Sequence, residues 1–379
     1  MKDLFERGKF HELDGLRAFA ILLVVFTHIF QTIPHLSFIA WNTEWLTPLF
    51  NGWMGVDLFF VLSGFLVGGQ IFRQMEERSF SFSQFYIRRS FRILPTYLLI
   101  LLFSVIIYFF APQLYHVLQN DSFSWRSLLK NIFLITDYFP ANLGVGSWSL
   151  SIEEQFYWIA PCVFALIYPL SIKRKTTFIL AVWTTALILR VLTYRHYGLG
   201  PETAIAVIQS KIYFPFHTRM DGLAAGILTF IAVRSVAGKE LGLLPLIARY
   251  LGSVLFLIIF LTGALKGGWF ETTIQYSLLS MSFAFVSWGL LVEDDKKQSF
   301  LCKLFSLKIW VPIARLSYTV YLIHLLVIRA IEICYPAADF FNLSLRAFLM
   351  FIGILMFSIP IFIFFENPIH QWSKRKMVN

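Results

Sequence analysis

Arg17 and His28 stand eleven positions apart in an apolar run, and Asp14 lies one turn before Arg17. On a helix of 3.6 residues per turn all three share one stripe, with His28 about 16 Å beyond Arg17. An imidazole titrates near neutrality, which suits it to proton transfer. Asp57, Glu153, Arg219, Asp221 and His324 lie in further apolar runs. Counted from the ends of those runs, His28, Asp57 and Glu153 share a depth, and Arg219, Asp221 and His324 approach it from two others. Ionisable groups at bilayer depth are costly and point to a site or a substrate path. Each also has a structural reading: a histidine clamping two helices, a carboxylate pairing a buried arginine, an arginine snorkelling to headgroups. Arg88, Arg89 and Arg92 cluster just before the third run, where guanidinium forks suit phosphate; charge alone fits a plain cytoplasmic flank equally well.

The elements that must hold these residues follow from composition. Of 379 residues, 58% are hydrophobic and only 14% charged, against roughly 25% charged in soluble domains, which excludes a water-soluble globule. Ten apolar runs are long enough to span a bilayer: 16–34, 53–72, 93–111, 148–170, 177–194, 215–233, 246–265, 272–292, 314–335 and 345–365. The first is too long, and too polar at Thr27, His28 and Gln31, for a cleaved signal peptide, so it is expected to remain as an anchor. The predicted fold is all-α and polytopic, with about ten transmembrane helices in a single membrane-embedded domain over 1–379 and no separate soluble domain.

Most of the 32 Lys and Arg residues fall on one set of alternating segments. They include Lys2, Arg7, Lys9, Arg73, Arg78, the Arg88 cluster, Lys173 to Lys175, Arg234, Lys239, Arg249, Lys296, Lys297 and Lys374 to Lys376. The other set and its flanks hold Arg126, Lys130, Arg190, Arg195, Lys211, Lys266 and Arg346. The positive-inside rule then puts both termini in the cytoplasm. It also explains the +10 formal charge without nucleic acid. Cys162, Cys302 and Cys334 are too scattered for a disulfide ladder or a C-x-x-C metal site, and no metal is expected. The longest outer connection, 112–147, carries Asp121, Trp125, Asp137 and a Gly144-Val145-Gly146 turn, and loops of that length are usually functional or flexible.

The sequence Glu12-Leu13-Asp14-Gly15-Leu16-Arg17, followed at ten residues' distance by His28, is joined by six further motifs in order. They are Gly55-Val56-Asp57-Leu58-Phe59-Phe60-Val61-Leu62-Ser63-Gly64, Tyr86-Ile87-Arg88-Arg89-Ser90-Phe91-Arg92, Trp148-Ser149-Leu150-Ser151-Ile152-Glu153-Glu154, Arg219-Met220-Asp221-Gly222, Ser317-Tyr318-Thr319-Val320-Tyr321-Leu322-Ile323-His324 and Glu366-Asn367-Pro368. Together they resemble the acyltransferase-3 family of integral membrane acyltransferases, which includes bacterial O-antigen acetylases. The form resembled is the stand-alone one, without a C-terminal esterase-like domain.

The resemblance implies acyl transfer, commonly of acetyl, from cytoplasmic acyl-CoA to a hydroxyl of a cell-surface glycan or lipid-linked saccharide. Acyl-CoA is then a donor substrate and no cofactor is permanently bound. The other partners are membrane lipid and a saccharide or glycolipid acceptor, and the setting is a bacterial inner membrane. Arg88, Arg89 and Arg92 would bind the nucleotide phosphates, with Arg89 and Arg92 matching the family's R-x-x-R. His28 would act as general base or carry the acyl group, Glu153 would orient its ring, and Asp14 and Arg17 would pair at the inner entrance. Asp57, Ser63, Arg219, Asp221, Tyr321 and His324 are expected to bind substrate. A transporter or flippase for a lipid-linked sugar is the alternative, since a charged layer also suits a translocation path; broken spans in matching halves and an inverted repeat, its usual marks, are not apparent. A non-catalytic scaffold comes third.

Overall fold

The apolar runs fold into helices because a lipid environment leaves each backbone N–H and C=O no partner but its own helix. The computed structural model describes residues 11–32, 48–113, 115, 123–140, 143, 146–237, 239–263, 267–292, 299–336 and 340–376. Asp121, the Gly144-Val145 part of the turn, Lys2, Arg7, Lys9, Lys266, Lys296 and Lys297 lie outside them. The helices are α1 (His11–Gln31), α2 (Gly55–Ser63), α3 (Gly69–Glu76), α4 (Phe82–Phe110), α5 (Trp125–Ile132), α6 (Ser147–Ile167), α7 (Ile172–His196), α8 (Ile205–Ile208), α9 (Phe216–Ser235), α10 (Leu244–Thr262), α11 (Trp269–Leu291), α12 (Phe300–Phe305), α13 (Trp310–Cys334), α14 (Phe340–Ile361) and α15 (Asn367–Lys376). The protein is an all-α, multi-pass membrane protein.

Among the described residues, nine helical stretches are long and apolar enough to cross a membrane. The expected sixth span, α9, is 20 residues long, about 30 Å at 1.5 Å per residue, but its apolar stretch is interrupted by Arg219 and Asp221. Both charges are neutralised inside the bundle. One helix starts earlier than its apolar run: α4 begins at Phe82, where Ser81 turns extended and its hydroxyl accepts the Gln84 N–H. Arg88, Arg89 and Arg92 therefore project from helix, at fixed angular offsets, and not from a loop.

The stretch Pro48–Glu76, which contains α2 and α3, has 78% of its apolar window buried, against 17% for α7 and 22% for α10. The first is thus the bundle's centre and the other two are lipid-facing walls. Between α2 and α3 lies one π-helical segment, Gly64–Gly68, and it crosses α9 at the closest approach backbones allow. A Cβ on Gly64 would sit 2.0 Å from the Leu223 carbonyl oxygen, and one on Gly226 would sit 2.0 Å from that of Val61. Small residues spaced by four on both partners allow such a crossing. It holds the C-terminal end of α2 against the first half of α9.

Candidate active site

A cavity of about 350 Å³ opens among α1, α2, α3, α4, α6 and α13. Arg17, Arg73, Arg89 and Arg92 line it from three of these helices, with Glu153 on the wall contributed by α6. Ser63 donates to Glu153 Oε1 at 2.7 Å and Tyr157 donates to Oε2 at 3.1 Å. The Arg89 guanidinium donates to Gln70 Oε1 at 2.6 Å and lies 5.7 and 5.4 Å from the ring centres of Phe85 and Tyr157. Arg17 stands 3.8 Å from Asp14, as the one-turn spacing leads one to expect. Among the described residues, Arg73 and Arg92 have no carboxylate partner. Four guanidiniums around one carboxylate make a cavity built for an anion with several phosphate oxygens. Arg88 does not line it, and its Nε and Nη2 are buried without a hydrogen-bond partner among the described residues.

Farther along α1 and α13, His28 and His324 meet edge-on with ring centres 4.9 Å apart. His28 Nδ1 donates to the Val24 carbonyl at 2.8 Å, and His324 Nδ1 donates to that of Tyr321 at 2.7 Å. A carbonyl can only accept, so in each neutral ring Nδ1 carries the proton and Nε2 the lone pair. His324 Nε2 is buried and unpartnered among the described residues. Glu153 was expected to orient His28 and does not: its hydrogen bonds go to Ser63 and Tyr157, and a backbone carbonyl fixes the tautomer instead. Tyr321 connects the two regions. Its hydroxyl lines the cavity and hydrogen-bonds Ser149, while its ring lies 5.6 Å from that of His324.

Asp57, Arg219 and Asp221 form a third group, away from the cavity lining. Arg219 pairs with Asp57 at 2.6 Å and Arg190 with Asp221 at 2.8 Å, and both arginines are 0% exposed. Arg190 also donates to the Thr273 carbonyl at 2.7 Å, the Thr218 carbonyl and Ser277, and Tyr276 and Tyr213 lie 4.3 and 4.7 Å from the Arg219 guanidinium. The pairs tie α2, α7, α9 and α11 together, while Arg219 Nε and Nη1 and Asp57 Oδ2 stay buried without a hydrogen-bond partner among the described residues. The single shared depth thus separates into three groups. Glu153 meets Ser63, six residues and about 9 Å along α2 from Asp57. Arg190, expected on an outer flank, is buried inside α7. Arg73 and Gln70 were missed as site residues because an arginine after an apolar run reads as a topology signal; the i, i+3 spacing of 70 and 73 was the available clue.

A multi-pass helical bundle with a cationic cavity at one end and an imidazole pair beyond it is the arrangement expected of a membrane acyltransferase. The chain belongs to the acyltransferase-3 family, whose profile, described as an acyltransferase domain, matches residues 10–365. It is 31% identical to the peptidoglycan O-acetyltransferase OatA of Listeria monocytogenes over 59% of this chain and 34% of the relative. To the O-acetyltransferase OatA of Staphylococcus aureus it is 27% identical over 82% of this chain and 49% of the relative. The chain thus spans a third to a half of the length of these relatives. No solved structure matches it.

Proposed function

We propose that this protein is a membrane O-acetyltransferase that takes an acyl group, acetyl in the simplest case, from acyl-CoA and places it on a hydroxyl of a cell-surface glycan or lipid-linked saccharide. The observation that carries the reading is the cavity ringed by Arg17, Arg73, Arg89 and Arg92, whose charge suits the phosphates of CoA. The positive-inside bias supports a mouth on the cytoplasmic side, where acyl-CoA is made, and a bacterial inner membrane is the setting this reading implies. With the nucleotide held there, the pantetheine arm runs up the cavity toward Tyr321 and the histidine pair. The acceptor oxygen attacks the thioester carbonyl, the C–S bond breaks, and the hydroxyl proton passes to His28 Nε2 and ends on the departing thiolate. In the covalent variant His28 Nε2 carries the acyl group between the two half-reactions. Peptidoglycan, the acceptor in the name of the Listeria relative, is one candidate acceptor, and the O-antigen is another.

The test uses purified, reconstituted protein with radiolabelled acetyl-CoA, and measures binding and the release of free CoA thiol with and without glycan acceptors. Saturable binding and acceptor-dependent thiol release are expected. Protein that binds neither acetyl-CoA nor longer acyl-CoA would sink the reading.

A further inference from the structure

A second cavity, of about 200 Å³, lies at the same end of the bundle as the arginine-lined one, between the end of α3, the start of α7 and the end of α9. Its floor is apolar: Phe72, Phe230, Ile231 and Ile172 line it, with the Phe72 and Phe230 rings stacked at 12° and 6.4 Å. Its rim is charged. Arg234 binds Glu76 through Nη1 alone, and its guanidinium lies 5.8 Å from the centre of the Phe230 ring. Lys175 has no carboxylate partner among the described residues; its ammonium rests 5.6 and 4.9 Å from the ring centres of Phe72 and Tyr168. A half-buried ammonium held over aromatic faces without a counter-ion is incomplete. Lys173 and Arg174 sit exposed on the preceding positions of α7 and add positive charge to the approach.

We infer that this groove binds an anionic phospholipid of the adjoining leaflet, its phosphodiester between Lys175 and Arg234 and the start of an acyl chain on the phenylalanine floor. Three features favour a lipid over a soluble anion. The groove lies where the apolar helix ends meet the charged ones, its floor is aromatic and aliphatic where a free phosphate needs donors, and its rim carries a net positive charge once Glu76 is set against Lys175 and Arg234. Basic pockets between helix ends are the usual sites for such headgroups. The site stands independently of acyl transfer. It also shares a wall with the arginine-lined cavity, since Phe72 faces the groove and the adjacent Arg73 faces the cavity. Bound lipid would brace α3, and with it Arg73 and Gln70.

The full-length protein, delipidated in a mild non-ionic detergent, would be titrated with short-chain phosphatidylglycerol, phosphatidylcholine and inorganic phosphate, with lipid adducts counted by native mass spectrometry and melting temperature followed in parallel. Phosphatidylglycerol is expected to bind and stabilise, and phosphatidylcholine and phosphate to do neither. Lys175→Gln, which leaves the Arg234–Glu76 pair intact, should weaken the interaction about fivefold, and Lys175→Gln with Arg234→Gln by about the square of that. A melting temperature equal to wild type without lipid shows that the single variant is folded. Equal response to phosphatidylcholine, stabilisation by phosphate alone, or unchanged phosphatidylglycerol binding in folded Lys175→Gln would each overturn the assignment.

Discussion

At the level of single residues, three kinds of ionisable group look alike in sequence and differ in what they touch. Arg89 and Arg92 line a cavity, so replacing both with alanine removes charged hydrogen bonds to a bound phosphate, each of about 1.5–3 kcal/mol. Calorimetry with a non-hydrolysable CoA analogue should show that loss in protein that melts normally. Arg219 instead completes a buried ion pair with Asp57. Arg219→Ala strands a carboxylate and should cost about 3–5 kcal/mol of stability, seen as lost folded yield and not as weaker donor binding in the surviving fraction. His28 is the sharpest case. With Nδ1 tied to Val24, Nε2 is the basic atom, and His28→Gln can mimic the tether but cannot take a proton. Turnover should fall ~10²–10⁴-fold with melting and CoA binding unchanged, whereas a well-folded variant of near wild-type rate would remove His28 from the mechanism. Sequence made Arg17, His28 and Glu153 visible because charge in an apolar run is conspicuous, and Arg89 and Arg92 visible because they cluster at the edge of one. It could not say which carboxylate faces which cation, since that depends on helix rotation and tilt: Glu153 went to Ser63 and Tyr157, and His28 found His324.

At the scale of elements, apolar length was enough to find the spans, and backbone contact decided how they fit. The N-terminal turns of α4 were missed because their arginines dilute the apolar window, although Ser81 marks the start. The π-helical segment at Gly64–Gly68 left no trace, because glycines spaced by four in an apolar run fit lipid, a bend or a partner helix equally. Its meaning comes from α9, where Gly222 and Gly226 answer Gly64 and Gly68. That crossing sets Arg219 against Asp57 and turns Ser63 to Glu153, so a packing motif positions a site residue through the helix between them. Gly226→Leu would drive a side chain into the Val61 carbonyl. It should destabilise by about 3 kcal/mol or more, detected as loss of a monodisperse peak in fluorescence size-exclusion chromatography. Gly226→Ala should be milder but still damaging, as even one Cβ meets backbone that cannot yield. Gly200, with open space around it, should accept alanine without effect.

Across the whole molecule, burial removes two arginines from the outer basic set. Arg190 and Arg346 were counted among the outer basic residues, yet both are buried: Arg190 in the ion-pair cluster, and Arg346 against the Thr32 carbonyl at 2.6 Å. Removing them from the outer set sharpens the bias, and removing buried Arg249 from the inner set barely weakens it. Parity then rests on one helix. If α9 crosses the membrane, the α3–α4 connection and the C-terminal helix α15 lie on the same side; if α9 stops short, they lie on opposite sides. The physical case for crossing is that 20 residues suffice for about 30 Å of hydrocarbon and that both α9 charges inside it are paired, so neither enters lipid alone. A protein stripped of its three cysteines, with a single cysteine returned at Glu77, Gln371 or Ser124, allows a direct reading in intact cells. A membrane-impermeant thiol reagent should label position 124 and reach 77 and 371 only after permeabilisation. Labelling of 371 but not 77 in intact cells would mean that α9 does not cross, and the arginine-lined cavity and the C-terminal helix would then open to different compartments.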